Sequence, residues 1–319
     1  MLLFGHRGSS RRCPENTRLA FETALRDGAD GVECDLQLLA DGCVIVLHDD
    51  TLRRTGNSPA HEAILDVSVA ELTWGAVKDV DIGAGEHLIT MEEHLAIISA
   101  SDGGKALLEL KGGDQAMVPR AVAVATAALE ASLQPEQLIW ISFDMPLVAA
   151  MKEQMPACPA FHVAHVHPAP RPDHPADLFG PEACIQLVDA AAAAGLTGVD
   201  FAAYPSVVTE AVFAHAATKS IKIGLWVAAS LPGELDTPAN IRLFQVRISE
   251  ISHWCVCSNT APAPAAEPRR GILHQRPPSA RDGVVDGGEA AAACSLVTRD
   301  VAPLPQDLRG VLPGGYILV

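Results

Sequence analysis

Residues 33–49, ECDLQLLADGCVIVLHD, open with two acids at alternate positions and close on a histidine beside a further acid. Successive side chains of a strand point to opposite faces, so Glu33 and Asp35 share one face while Cys34 and Leu36 take the other. Asp41-Gly42 is a two-residue turn signal between apolar runs. It predicts a hairpin with Ala40 opposite Cys43, Leu38 opposite Ile45 and Asp35 opposite His48. Opposed residues stand with Cβ atoms roughly 4.5–5.5 Å apart on one face. Two carboxylates and an imidazole gathered there suit divalent-metal binding or acid/base chemistry. In isolation the same pattern also describes a surface hairpin with a wet polar face.

The elements that must position these groups follow a repeating order. Strand-like runs occur at 2–5, 31–38, 105–111, 138–143, 160–166, 197–201 and 221–227. Helical patterns lie between them, within PENTRLAFETALRDGAD, MVPRAVAVATAALEAS, the stretch after Met145, PEACIQLVDAAAAAGL and TEAVFAHAATKS. Strands alternating with helices imply a parallel sheet wrapped by helices. Seven parallel strands up to residue 227 are one short of a (β/α)8 TIM barrel, and WCVCS at 254–258 is the candidate for the closing strand. In that fold catalytic groups sit at the carboxyl ends of strands, where His6, Glu33, Asp35, Glu109 and Lys111 all fall. A doubly wound open sheet is the structural alternative, but no GxGxxG follows the first strand.

Residues 50 to about 90 break this rhythm and read as a small insertion after the first hairpin, over the barrel mouth. Beyond Gln245 the chain turns rich in Pro, Ala, Gly and Arg without sustained periodicity. The expected organisation is a barrel domain over 1–245 and a largely irregular, atypical tail over 246–319.

Bulk properties narrow the function classes. The chain has 319 residues, 49% of them hydrophobic, which is ample for a large core. A net charge of −16 argues against a nucleic-acid footprint and against electrostatic docking on anionic lipid, so an anionic substrate must be attracted locally. No apolar tract is long enough to span a bilayer, and Met1 is followed at once by a strand-like run with no leader pattern, so the expected location is cytoplasmic. The eight cysteines are scattered without a CxxC pair, which favours reduced, mostly buried thiols over disulfides or a zinc site. Oligomeric state has no signature.

HRG at 6–8, PENT at 14–17, Glu33-Cys34-Asp35, Asp41-Gly42 followed by His48-Asp49, LRRTGN at 52–57 and Glu109-Leu110-Lys111 form an ordered set. Its order and spacing resemble the glycerophosphodiester phosphodiesterase family of the PLC-like phosphodiesterases. The likeness is dense over about 2–112 and looser over 138–245, through Ser142-Phe143-Asp144 and Trp226. The chain departs from the family where Trp226-Val227-Ala228-Ala229 stands in place of a Trp-Thr-x-Asn stretch.

The resemblance implies a TIM barrel with a small insertion and metal-dependent hydrolysis of a glycerophosphodiester to glycerol 3-phosphate and an alcohol. It implies His6 and His48 as the acid/base pair, His48 being also a candidate metal ligand. Glu33, Asp35 and Glu109 become ligands of a divalent cation, and Arg7 and Lys111 hold the phosphate. Hard oxygen ligands favour Mg²⁺ or Ca²⁺, with Mn²⁺ a further candidate. With such an ion the three carboxylates, Arg7 and Lys111 leave a surplus of one positive charge, whereas without it the acids repel a phosphodiester anion. Trp226 is either barrel core or a platform for the substrate's apolar part. Glu15 is expected to orient Arg7, Asn16 to cap the first helix, and Asp49 to partner a neighbour. Two rival readings stay open: a lysophospholipase D-type hydrolase, and a non-catalytic truncated barrel that binds a partner.

Overall fold

Val32, Cys34 and Leu36 alternate with Glu33, Asp35 and Gln37 along one strand, yet all six are buried. Only a sheet covered on both faces accommodates such a run. The computed structural model describes residues 2–170, 178–226, 255–258 and 316–317. All belong to the contact unit made of Met1–Pro262 and Leu312–Val319.

The strands are β1 (Leu2–Gly5), β2 (Gly31–Leu38), β3 (Val44–Val46), β4 (Lys105–Leu110), β5 (Leu138–Ser142) and β6 (Ala160–Ala164). They continue as β7 (Val166–His167), β8 (Leu178–Phe179), β9 (Gly198–Ala202), β10 (Lys222–Trp226), β11 (Cys255–Ser258) and β12 (Tyr316–Ile317). The helices are α1 (Arg18–Arg26), α2 (Trp74–Val77), α3 (Met91–Ala100), α4 (Met117–Ala131), α5 (Met145–Gln154), α6 (Gly180–Ala193) and α7 (Glu210–Thr218).

Parallel strands run in the order β10, β9, β6, β5, β4, β2, β1, β11, the sequential winding of a TIM barrel. On the WCVCS segment, β11 pairs with β1, Leu2 opposite Cys255 and Phe4 opposite Cys257, and it also contacts β10. β12 pairs antiparallel with β11, while β7 and β8 form a separate two-stranded ladder. Trp226 ends β10; Val227, Ala228 and Ala229, where the chain departs from the Trp-Thr-x-Asn pattern, lie outside the described residues.

The sheet separates two apolar layers. Phe4, Leu107, Ile139, Ile141, Phe161 and Val163 cluster inside the curl. Val32, Cys34, Leu36, Leu108, Trp140 and Val199 face the helices and merge with their buried stripes, including Phe21, Leu95, Val148 and Val188. Each such side chain removed from water contributes roughly 1.5–3 kcal/mol. The inward positions of β2 and β4 are the exception, because there the apolar pattern is broken by Glu33, Asp35 and Glu109.

Two local features differ from expectation. The β2–β3 hairpin pairs Leu38 with Val44 and Leu36 with Val46, one residue away from the predicted register. Leu39 pairs with Cys43 instead, leaving Ala40, Asp41 and Gly42 as a three-residue turn with Gly42 at φ +82°. A left-handed glycine closing such a turn is the alternative geometry for this loop type. Asp35 therefore stands opposite Leu47, whose amide donates to the Asp35 carbonyl at 2.9 Å. A one-residue slip turns a strand over, so His48 is not Asp35's cross-strand partner; it lies beyond the end of β3.

The second is α3, inside the stretch read as the end of the insertion and the chain following it. A capping box starts it: Thr90 Oγ1 accepts from the Glu93 amide, and Glu93 returns the bond to the Thr90 amide. The T-x-x-E signature was present in the sequence. Ahead of it the insertion packs Leu52, Val69 and Val80, among others, onto Leu39, Ile45 and Leu47 of the hairpin as a small separate core.

Candidate active site

Asp35 and Glu109 are register partners on the neighbouring parallel strands β2 and β4, and Glu33 lies two residues before Asp35 on the same face. One oxygen from each of the three carboxylates falls within 4.8 Å of the others. Their exposures are 2%, 0% and 8% for Glu33, Asp35 and Glu109. Three acids packed this closely repel one another unless cations or protons intervene.

The protein supplies some of the compensation. The Arg7 amide donates to Glu33 Oε2 at 2.8 Å, and Arg7 Nε approaches Asp35 Oδ2 at 3.2 Å, close enough for an ion pair though not aligned as a hydrogen bond. Asn16 Nδ2 donates to Asp35 Oδ2 at 2.8 Å. Lys111 Nζ lies 3.0 Å from Glu109 Oε1 and 3.6 Å from Asp35 Oδ1. Burial works to raise the Asp35 carboxyl, but Arg7 and Lys111 outweigh it and hold it below the usual range. Burial followed by Asp35 pushes Glu109 up to about 7, and burial with both neighbouring acids pushes Glu33 well above its ordinary value.

Compensation is incomplete. Glu33 Oε1 and Asp35 Oδ1 are buried and accept no hydrogen bond. Such an orphaned pair costs heavily unless something cationic occupies the space between. The donor set, three hard carboxylates from two adjacent strands, fits a divalent cation.

His6 stands just past β1, with Nε2 3.8 Å from Glu33 Oε2, beyond hydrogen-bond reach. Burial first, then Arg7, lowers its pKa to about 3, so the ring is neutral and the contact is not a true ion pair. The tight corner that aims it places Arg7 at φ +53°, Gly8 at +75° and Asn16 at +58°. A Cβ on Gly8 would lie 2.5 Å from the carbonyl carbon of Ala20. Left-handed non-glycine residues are uncommon, and two flank this cluster.

His48 lies beyond β3 without the predicted pairing, and its Nδ1 bonds Asp49 Oδ1 at 2.6 Å. Gln37 Nε2 donates to the carbonyls of His48 and Asp49 at 3.3 and 2.6 Å, fastening the segment to β2. Glu15 Oε1 accepts from Arg7 Nη1 at 2.9 Å, as expected.

Asn16 is a correction: the helix cap is Thr17, whose side chain accepts from the Ala20 amide, which leaves Asn16 free to bind Asp35. Trp226 packs against the inner apolar cluster and stands beside Phe143 and His165, with ring centroids at 6.0 and 5.4 Å. Its indole nitrogen has no hydrogen-bond partner among the described residues. Asp200 was missed by sequence reasoning. It is buried on β9, with Oδ1 lacking a hydrogen-bond partner, and burial followed by Glu109 pushes its carboxyl well up. An acid inside GVDF, at an alternate position of a buried strand, was the available signal.

The Glycerophosphoryl diester phosphodiesterase family model matches residues 6–227. A glycerophosphodiester phosphodiesterase of Caldanaerobacter subterraneus subsp. tengcongensis is 38% identical over 108 residues, 32% of this chain and 42% of that protein. The chain spans less than half the length of the curated relatives it matches. Among solved structures, the glycerophosphodiester phosphodiesterase of Thermotoga maritima superposes with a TM-score of 0.53 at 24% identity, covering 77% of this chain and 91% of that one. An Oleispira antarctica phosphodiesterase in complex with the product sn-glycerol-3-phosphate gives 0.58 at 20% identity, covering 77% and 89%. These two likenesses are of fold. No described helix is long and apolar enough to cross a membrane.

Proposed function

The chain belongs to the glycerophosphoryl diester phosphodiesterase family, and from that premise we propose that it hydrolyses glycerophosphodiesters to glycerol 3-phosphate and an alcohol. The single observation that carries this reading is the buried trio Glu33, Asp35 and Glu109 within 4.8 Å, with orphaned oxygens and two cationic side chains on its rim.

In this reading Glu33, Asp35 and Glu109 hold a divalent cation, Mg²⁺ or Ca²⁺ with Mn²⁺ as a further candidate. When bound, that cation supplies Lewis-acid polarisation of a phosphoryl oxygen and reverses the negative field of the site. Arg7 and Lys111, already anchored to the acids, present their remaining donors to the phosphate. His6, held neutral by burial and Arg7, accepts a proton at an imidazole nitrogen from the attacking oxygen. His48, whose Nδ1 is engaged by Asp49, delivers a proton to the departing alcohol from its other nitrogen. Trp226, beside Phe143, would line the alcohol side.

We take residues 1–245 as the catalytic barrel domain, with the strand at 255–258 from the following tail completing its sheet beside β1. The test is release of glycerol 3-phosphate from glycerophosphocholine and glycerophosphoethanolamine, with and without EDTA. Metal-restored release is expected. A folded sample that binds the metal yet releases nothing would overturn this reading, and release from a single-chain lysophospholipid would then separate the lysophospholipase D alternative from the non-catalytic one.

A further inference from the structure

Arg54, in the insertion, makes four hydrogen bonds to two carboxylates. Its Nη1 and Nη2 donate to Glu15 Oε2 and Oε1 at 2.9 and 2.6 Å, and its Nε and Nη2 donate to Asp49 Oδ2 and Oδ1 at 2.6 and 3.0 Å. Each carboxylate has a second partner in the candidate active site. Glu15 Oε1 also accepts from Arg7 Nη1 at 2.9 Å, and Asp49 Oδ1 also bonds His48 Nδ1 at 2.6 Å. One guanidinium nitrogen, Nη2, thus stands between the oxygen that holds Arg7 and the oxygen that holds His48.

Stability alone does not explain why both carboxylates are shared with side chains of the site. Arg54 is 48% exposed, where a single ion pair typically contributes about 0.2–1 kcal/mol. Its neighbour Arg53 provides a matched comparison: it forks onto Asp66 at 2.8 and 2.7 Å and reaches Glu62 at 2.8 Å, but among the described residues neither acid is bonded to a side chain of the site. The position of Arg54 is set from beneath by Leu52, fully buried in the insertion's apolar core, whose carbonyl accepts from the Gly56 amide.

We propose that Arg54 is a positioning residue for the reaction above, a fork that fixes the spacing between the phosphate-holding Arg7 and the proton-delivering His48 through Glu15 and Asp49. The inference rests on the proposed phosphodiesterase activity and assigns the insertion a part in assembling the site. Arg54 engages both oxygens of Asp49 while Oδ1 also bonds His48 Nδ1, so the fork fixes the carboxylate that orients the His48 ring.

The experiment compares Arg54→Gln, Arg54→Lys, Arg53→Gln, Asp49→Asn and the Arg54→Gln/Asp49→Asn double variant in kcat, KM and melting temperature on glycerophosphocholine. Arg54→Gln is expected to lower kcat/KM on the order of 10- to 100-fold, the scale of a misplaced catalytic group. Arg54→Lys keeps the charge but not the fork and recovers less than about tenfold. Arg53→Gln stays within about twofold of the wild type. The double variant falls no more than about threefold below the worse single one, because both changes break one chain of contacts. Wild-type rates in Arg54→Gln, full recovery in Arg54→Lys, equal loss in Arg53→Gln, or multiplying effects in the double variant each overturn the inference. If Arg54→Gln melts early, the same cycle run with Arg54→Lys decides. No turnover by metal-loaded wild type sinks the phosphodiesterase reading and this inference together, whereas an active wild type matched by Arg54→Gln sinks this inference alone.

Discussion

Asp35 and Glu109 face one another across the β2–β4 ladder as direct register partners, and Lys111 bridges them at 3.6 and 3.0 Å. Adjacent strands lie roughly 4.8 Å apart, so two inward carboxylates in register must share whatever neutralises them. Lys111 neutralises one charge; Glu33 Oε1 and Asp35 Oδ1 remain without donors.

Titration with Ca²⁺ or Mn²⁺ followed by calorimetry should accordingly find one site per chain. Glu109→Gln and Asp35→Asn should each weaken it by at least about 10- to 100-fold, the loss that outer-sphere partners alone produce. Unchanged affinity in both variants would remove the acidic trio as the ligand set.

Replacing His6 or His48 with alanine is expected to cost about 10² to 10⁴ in kcat, the usual contribution of a placed proton-transfer group. Both side chains lie near the surface of the site, at 23% and 33% exposure, so the melting temperature should hold. A double variant with wild-type turnover would end the acid/base assignment.

His94 provides a stability test away from the chemistry. It is fully buried in α3 against Phe21, ring centroids 4.5 Å apart, and neither ring nitrogen has a hydrogen-bond partner. Burial lowers its pKa from 6.5 to about 3 in the fold. Between those values the unfolded chain binds the proton and the folded one does not, so this contribution is complete above pH 6.5 and is lost as pH falls toward 3. The loss approaches about 1.4 kcal/mol per pH unit. His94→Leu should remove it, and a wild-type-minus-variant difference that does not change with pH would contradict the account.

Gly8→Ala meets two obstacles at once, a φ of +75° and a Cβ placed 2.5 Å from the Ala20 backbone. We expect destabilisation above about 1 kcal/mol by urea unfolding, with turnover falling because Arg7 and His6 share the corner. A stable, active variant would show that the turn tolerates a side chain.

The strand–helix alternation, the E-x-D and E-x-K pairs at alternate positions of buried strands, and the HRG corner were legible in the sequence, because a period of two assigns each residue to a face whatever its neighbours are. That local rule placed Glu33 with Asp35, and Glu109 with Lys111, before any packing was known. It did not determine that β2 and β4 would align Asp35 with Glu109, since parallel register depends on how the helices between strands dock. The hairpin showed the limit most plainly: two turn lengths fit Asp41-Gly42, and only the packed structure chose the one that takes His48 out of register and returns it through Asp49 and Arg54. Asn16 and Arg54 were unreadable for the same reason. A polar side chain's partner is set by which distant backbone arrives beside it, and a linear pattern holds no record of that arrival.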